Sequence, residues 1–160
     1  MLRTKKDTVS KAKAAAWKAF SRFIRLRDCL FSTGTLEYGS CCTCGKVFPI
    51  SQLQAGHFIP GRNNSILFDP RCVHAQCRGC NLYGGGQQPR YYQFMMGRYG
   101  RETIDELFRQ ANRSMKLTAP ELREIADRFN RLVRVIERNE VVPYSELETF
   151  VDELKARIGV

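Results

Sequence analysis

Apolar residues near the start of the chain recur with the spacing of one helical face. Trp17, Phe20 and Ile24 lie three and four positions apart, so they share one side of a helix. An alanine-rich stretch precedes them, and Ser10 is of the residue type that caps helices. The pattern therefore predicts a helix from Ser10 to about Leu30, whose opposite face is basic.

The centre of the chain changes to short segments separated by turn-forming residues. Two glycines within residues 32–40 indicate a loop or short hairpin. Strands are predicted at Leu53–Ile59 and Ile66–Asp69, because a Pro-Gly-Arg-Asn-Asn turn lies between these apolar segments. A short helix should begin at Cys77 and end before the three glycines at positions 84–86, which sustain a helix poorly.

The second half of the chain has helical spacing throughout. Helices are predicted at Pro89–Arg98 and Glu102–Asn112. Thr118-Ala-Pro-Glu121 is a capping box with proline in the first turn, which predicts a helix running to about Asn139. A second capping box at Ser145 predicts the last helix. The apolar stripes of these helices are expected to pack in a core or a dimer interface.

These elements predict a mostly helical α+β protein. Its regions would be a basic N-terminal helix (residues 1–30), a central core with the short strands (31–88) and a helical C-terminal region (89–160). A chain of 160 residues suffices for one compact domain with helical additions. No apolar run approaches the roughly 18 residues that span a bilayer, and no signal peptide is visible. We therefore expect a cytoplasmic protein without a membrane partner.

The charge of the chain favours a polyanionic partner over a small-molecule substrate. The formal net charge is +10, and residues 1–27 carry nine Lys or Arg against one acid. Such a surplus favours nucleic acid, because binding releases condensed counterions. A solvated basic face is the alternative for the first helix. The candidate DNA contacts are Lys18, Arg22 and Arg25 on that helix and Arg62, Arg71, Arg78 and Arg90 near the centre.

Cysteine spacing indicates a metal site. Seven cysteines in a cytosolic chain argue against a disulfide framework. Four of them form two C-x-x-C pairs, Cys41 with Cys44 and Cys77 with Cys80, which suit one tetrahedral Zn²⁺. A closed shell of four thiolates leaves no open position, so this zinc would be structural. Cys42 could replace Cys41, although the spacing favours Cys41.

Between the two cysteine pairs lies a histidine, and an asparagine follows the second pair directly. His57 falls on a predicted strand, and Asn81 follows Cys80 at the start of the predicted short helix. If strand and helix pack together, the imidazole and the amide would face each other. Such a pair suits phosphodiester hydrolysis, with His57 as the base and Asn81 as a ligand of Mg²⁺ or Mn²⁺. Alternatively, both residues serve only the fold.

The order of these motifs resembles the ββα-metal (HNH) nucleases. It is especially similar to the phage endonuclease VII group, where a metal-binding asparagine directly follows the last zinc cysteine. A longer likeness, from about Lys11 to Asn139, is to the NinG (Rap) recombination proteins of lambdoid phages. The stretches that carry it are Ala19-Phe20-x-x-Phe23-Ile24-Arg25-x-Arg27-Asp28, Cys41-x-x-Cys44-Gly45, Gln54-Ala55-Gly56-His57-Phe58, Val73-His74-x-Gln76-Cys77-x-x-Cys80-Asn81 and Arg98-x-Gly100-x-Glu102-x-Ile104-Asp105-Glu106.

This resemblance implies a structure-specific endonuclease of phage recombination. Its substrates would be branched DNA, including Holliday junctions and D-loops, in the cytoplasm of the host cell. Because resolving a junction needs paired cuts, we expect a homodimer, for which the C-terminal helices are candidate interfaces.

Two positions depart from the HNH pattern. Gly56 stands where an Asp or His normally binds the ion, and Cys72 stands where an asparagine normally orients the base histidine. His74 is the first candidate to fill the gap, as a catalytic residue that binds the ion or a phosphate, and Asp69 is another. His57 could also bind the ion itself. The departures keep a second function open, a non-catalytic zinc module that binds DNA or a recombinase, and charge alone would also permit an RNA-binding protein.

Overall fold

The computed structural model describes residues 8–159, so Arg3, Lys5 and Lys6 of the predicted basic segment lie outside the described part. Helix α1 spans Val9–Thr33, close to the predicted bounds. Its N-cap is Thr8, whose side chain accepts from the backbone N–H of Lys11, and the predicted cap Ser10 lies within the first turn.

Two small antiparallel sheets form the centre of the chain. Strands β1 (Tyr38–Ser40) and β2 (Val47–Pro49) make one hairpin, and a 3-10 turn connects them to β3 (Leu53–His57). Strand β3 pairs with β4 (Val73–Cys77), with Gly56 opposite His74 and Gln54 opposite Gln76.

The prediction of a second strand at Ile66–Asp69 is wrong. Ile66 lies instead in the short helix α2 (Asn64–Leu67), where the Asn63 side chain caps the Ser65 N–H. A short apolar run fits a helical turn as well as a strand, and here the cap decides the outcome. The actual partner strand β4 carries an alternation of Val, His, Ala, Gln and Cys that is typical of β structure.

The remaining elements are helical, as predicted. A π-helical turn spans Gly79–Tyr83, and α3 (Gln88–Ala111) is interrupted at Gly100, where φ is 79°. That break separates the two helices expected from the sequence. Helix α4 (Ala119–Asn139) begins with the predicted capping box. Helix α5 (Tyr144–Ile158) has Pro143 as its N-cap and no side-chain cap, so the predicted second capping box at Ser145 is not formed.

Aromatic side chains join α1, α4 and α5 into one hydrophobic core. The ring of Phe129 meets those of Phe20 and Phe150 edge-on, with centroids 4.9 and 5.1 Å apart. The apolar stripes of α4 and α5 are thus buried within the chain itself, so they are no longer candidates for a dimer interface. Within residues 8–159, none of the helices combines the length and the apolar character needed to cross a membrane.

A buried ion pair fastens α1 to the β3–β4 sheet. Arg27 Nε donates to Asp28 Oδ1 over 2.7 Å, and both side chains are buried. Asp28 Oδ2 accepts from the Ala75 N–H of β4 over 2.7 Å. Arg27 Nη2 donates to the Val73 carbonyl over 2.9 Å. Although burial opposes its charge, the guanidinium of Arg27 holds the pKa of Asp28 well below its usual range.

Replacing Asp28 with alanine should lower the free energy of unfolding by about 3–5 kcal/mol, since it leaves the buried Arg27 charge unpaired. Urea denaturation followed by circular dichroism measures the loss. The matched control is Glu137→Ala, which breaks the exposed pair of Glu137 with Arg22 and should cost at most about 1 kcal/mol. Equal losses in the two variants would contradict a stabilising role for the buried pair.

Candidate functional site

The four paired cysteines converge on one point. Their Sγ atoms all lie within 4.8 Å of one another. Cys41 and Cys44 lie in the tight turn between β1 and β2, which the Gly45 N–H closes by donating to the Cys41 carbonyl over 2.9 Å. Cys77 ends β4, and Cys80 lies in the following π-helical turn. Sulfurs on one tetrahedral Zn²⁺ are roughly 3.8 Å apart, so this donor set fits a zinc ion and would clamp the hairpin to β4.

The other three cysteines lie outside this cluster. The cluster contains Cys41 and not Cys42, in agreement with the spacing. Burial raises the pKa of Cys29 to about 11 and that of Cys72 to about 12, so both remain thiols at neutral pH. They are small packing residues rather than metal ligands or nucleophiles.

His57 is held between a helix and a backbone carbonyl. Its ring stacks on Trp17 of α1, with centroids 5.0 Å apart and planes inclined by 16°. Its Nε2 lies 3.3 Å from the Leu67 carbonyl oxygen, so Nε2 carries the proton and donates it. Burial lowers the pKa of His57 to about 4. The imidazole is therefore neutral at pH 7, and its Nδ1 has no hydrogen-bond partner among residues 8–159.

Asn81 lies against the opposite face of the same strand. Its Nδ2 donates to Gln54 Oε1 over 2.9 Å. Because strand residues alternate between faces, Gln54 and Gly56 point away from His57. The expectation that His57 and Asn81 face each other directly is thus replaced by an arrangement on two sides of the end of β3.

A polar groove lies beside Asn81, and His57 is not among the described residues that line it. It has a volume of about 390 Å³, and Trp17, Arg25, Gln54, Arg62 and Asn81 are among the residues that line it. The Arg62 guanidinium lies 4.6 Å from the centroid of the Trp17 ring. Trp17 therefore forms the groove wall on one side and supports His57 through the stack. The sequence placed Trp17 only in the apolar stripe of the first helix and Gln54 only in a family motif, so neither was predicted as a site residue.

The other predicted DNA contacts divide into free and paired side chains. Lys18, Arg78 and Arg90 are exposed. Arg71 is half-buried and donates to Asp69 over 2.7 Å and to Glu106 over 2.9 Å, so it is committed to an internal network. Arg22 is exposed but pairs with Glu137.

His74 and Asp69 do not fill the gap left by Gly56. His74 is fully buried, and its Nδ1 lies 2.9 Å from Arg27 Nη2. Its Nε2 lies 3.2 Å from both the Arg71 carbonyl oxygen and the Tyr99 hydroxyl. Asp69 is also fully buried against Arg71. A catalytic or ligand role for either is thus not supported by the geometry, and the contacts of His74 suit a buried residue that orients the surrounding loop.

Comparison with known proteins identifies relatives among phage proteins. The family described as "Bacteriophage Lambda NinG protein" matches residues 1–140. The protein ninG of Escherichia phage 933W is 29% identical over 120 residues, which cover 74% of this chain and 55% of that protein. The ninG protein of Enterobacteria phage H19B is 31% identical over 124 residues, with the same shares. That of Escherichia phage lambda is 30% identical over 99 residues, covering 61% of this chain and 44% of that protein.

The chain spans about half the length of these relatives. No solved structure matches it. The family match covers the hairpin, both strands of the second sheet, the four cysteines and the groove, together with most of the helical part. On this match the chain belongs to the NinG protein family.

Proposed function

We propose that this protein is a metal-dependent endonuclease that cuts branched DNA in phage recombination, with an HNH-like site at the end of β3. The observation that carries the proposal is the groove, where Asn81 lies with Arg25 and Arg62 and beside the stack of Trp17 on His57. The four-cysteine cluster adjoins this groove, since Asn81 follows Cys80 directly.

In this proposal His57 accepts the proton of the attacking water. The neutral ring has one free nitrogen, and the Leu67 carbonyl fixes its orientation. That carbonyl does what an asparagine does in HNH nucleases, so Cys72 at the asparagine position is no obstacle. Asn81 would hold the divalent ion by its amide oxygen. When bound, Mg²⁺ or Mn²⁺ supplies stabilisation of the charge that develops on the phosphate.

Arginine and lysine around the groove would grip the DNA backbone. Arg25 and Arg62 line it, and the exposed Lys18, Arg78 and Arg90 extend the basic surface. Phosphate contacts position DNA without reading its sequence, which suits recognition of a branch by shape. Paired cuts would require a homodimer, and its interface would lie outside the stripes already buried in the core.

Replacing Asn81 with alanine should reduce cleavage of a labelled four-way junction by 100-fold or more, because the ion loses its protein ligand. Junction affinity, measured by fluorescence anisotropy, should change by no more than about threefold. Cleavage is followed with Mg²⁺ and with Mn²⁺. The matched control is Asn139→Ala, at the exposed end of α4, which should cut like the original protein. Undiminished cleavage by Asn81→Ala would remove Asn81 from the site.

A second function, a zinc module that binds DNA without cutting it, is favoured by one observation. Of the described residues that line the groove, none is Asp or Glu. Junction binding without cleavage in either ion would establish this second function instead. Preference for structured RNA over junction DNA in competition would point to an RNA-binding protein.

A further inference from the structure

One buried polar atom of the sheet has no partner among the described residues. Gln76 on β4 is fully buried, and its Oε1 accepts no hydrogen bond. Leaving a buried acceptor unsatisfied carries a cost in folding free energy. An atom kept at that cost next to a candidate site suggests that something binds to it.

Gln76 Oε1 lies where a side chain at position 56 would begin. A Cβ placed on Gly56 would lie 2.0 Å from Gln76 Oε1 and 3.1 Å from Asn81 Oδ1. A side chain at position 56 would therefore displace the amide of Gln76. Because Gln76 Oε1 and Asn81 Oδ1 both lie this close to the Cβ position, the two oxygens are at most about 5 Å apart. The space that an acid occupies in HNH sites is thus filled by an amide reaching across from the neighbouring strand.

The orientation of both amides is fixed by their nitrogens. Gln76 Nε2 donates to the Gly86 carbonyl over 3.0 Å and to Thr43 Oγ1 over 3.2 Å. Thr43 Oγ1 lies 3.3 Å from Cys41 Sγ, so this contact ties the amide to the cysteine cluster. Asn81 Nδ2 donates to Gln54 Oε1. Neither amide can rotate by 180° without losing these bonds, so both oxygens face the same point.

We propose that Gln76 Oε1 and Asn81 Oδ1 together bind the divalent cation, with Gln76 supplying the ligand that Gly56 cannot. The inference deepens the proposed function and rests on it for the role of the ion. Two oxygens on one Mg²⁺ or Mn²⁺ are about 3–4 Å apart, a separation that the upper bound of about 5 Å allows. Because amides are uncharged, the ion is held more weakly than by a carboxylate. The remaining ligands are water and the DNA phosphate, so DNA should strengthen Mn²⁺ binding.

Mn²⁺ binding to the zinc-loaded chain tests this proposal independently of cleavage. Electron paramagnetic resonance of free Mn²⁺ gives the affinity, without DNA and with a phosphorothioate four-way junction. Gln76→Met keeps the volume of the side chain but removes the oxygen, so it should weaken Mn²⁺ binding tenfold or more. The matched control is Gln110→Met, since Gln110 is an equally buried glutamine on α3 whose amide bonds to the Ser65 carbonyl. Its Mn²⁺ affinity should stay unchanged.

A ligand exchange covers the case in which Gln76→Met does not fold, as judged by circular dichroism and zinc content. The double variant Gly56→Asp with Gln76→Ala places a carboxylate in the vacated space. It should bind Mn²⁺ at least as tightly as the original chain, and loss of binding would overturn the inference. Unchanged affinity in a folded Gln76→Met would also overturn it, as would absence of Mn²⁺ binding by the original chain with and without the junction. A water molecule alone then satisfies Gln76.

The outcomes separate this inference from the proposed function. If Mn²⁺ binding depends on Gln76 but no junction is cut, the cation site stands and the nuclease proposal fails. If the junction is cut while Gln76→Met binds Mn²⁺ normally, the nuclease proposal stands and the role of Gln76 fails.

Discussion

Replacing Cys80 with alanine should abolish zinc binding and unfold the centre of the chain. Apparent binding free energies of structural zinc are of the order of 10 kcal/mol, comparable with the entire stability of a small domain. The four cysteines join the β1–β2 hairpin to β4 and the π-helical turn, so losing the ion frees both sheets. Zinc content per chain and thermal unfolding by circular dichroism measure the effect. A strong chelator should act in the same way on the original protein.

The control for this prediction is Cys42→Ala. Cys42 is next to Cys41 in sequence but lies outside the cluster, so the variant should keep one zinc per chain and most of its thermal stability. If Cys80→Ala keeps its zinc and its melting temperature, the cluster is not the zinc site.

Replacing His57 with alanine should reduce junction cleavage by a factor of about 10²–10⁴, the usual contribution of a general base. Binding of the junction should be nearly unchanged, since His57 lies beneath Trp17 rather than among the exposed basic residues. His57→Phe separates chemistry from packing, because a phenyl ring keeps the stack on Trp17 but has no nitrogen. We expect it to be as inactive as His57→Ala, and cleavage by the phenylalanine variant would exclude His57 as the base.

The pH dependence gives this prediction a second measurement. The pKa of His57 is lowered from 6.5 to about 4, so the folded protein keeps the ring unprotonated at any pH well above 4. Cleavage should therefore show no loss with an apparent pKa near 6.5 as the pH falls from about 8 to 5.5. A loss centred near 6.5 would mean that the imidazole is exposed during the reaction, or that another histidine-like group limits the rate.

Local sequence patterns predicted an element correctly wherever the residues of a single segment were enough to specify it. The stripe of α1, the capping box of α4 and the C-x-x-C spacing each gave elements or clusters that the structure contains. The errors arose where two short segments competed. Residues 66–69 were predicted as a strand because three of the four are apolar, whereas the Asn63 cap makes a helical turn and leaves Val73–Cys77 to pair with β3.

At the candidate site, too, local spacing predicted some features and tertiary contacts decided the others. Sequence spacing predicted the zinc cysteines, but it could not decide between His74 exposed as a ligand and His74 buried as a support. That depends on Arg27 and Asp28, which α1 brings to β4 from more than 40 positions away. Arg71 was likewise a plausible phosphate contact until the fold placed Asp69 and Glu106 beside it.

By itself the sequence determined the family, the cysteines that cluster as a zinc ion would require and most of the helices, because short-range spacing encodes all three. Only the tertiary structure decided which polar groups share a site. It placed Trp17 against His57, Asn81 against Gln54, and Gln76 over a glycine that leaves it room. The physical reason is that strand pairing and helix packing join residues distant in sequence, and burial then determines which of them keep a free atom for a ligand.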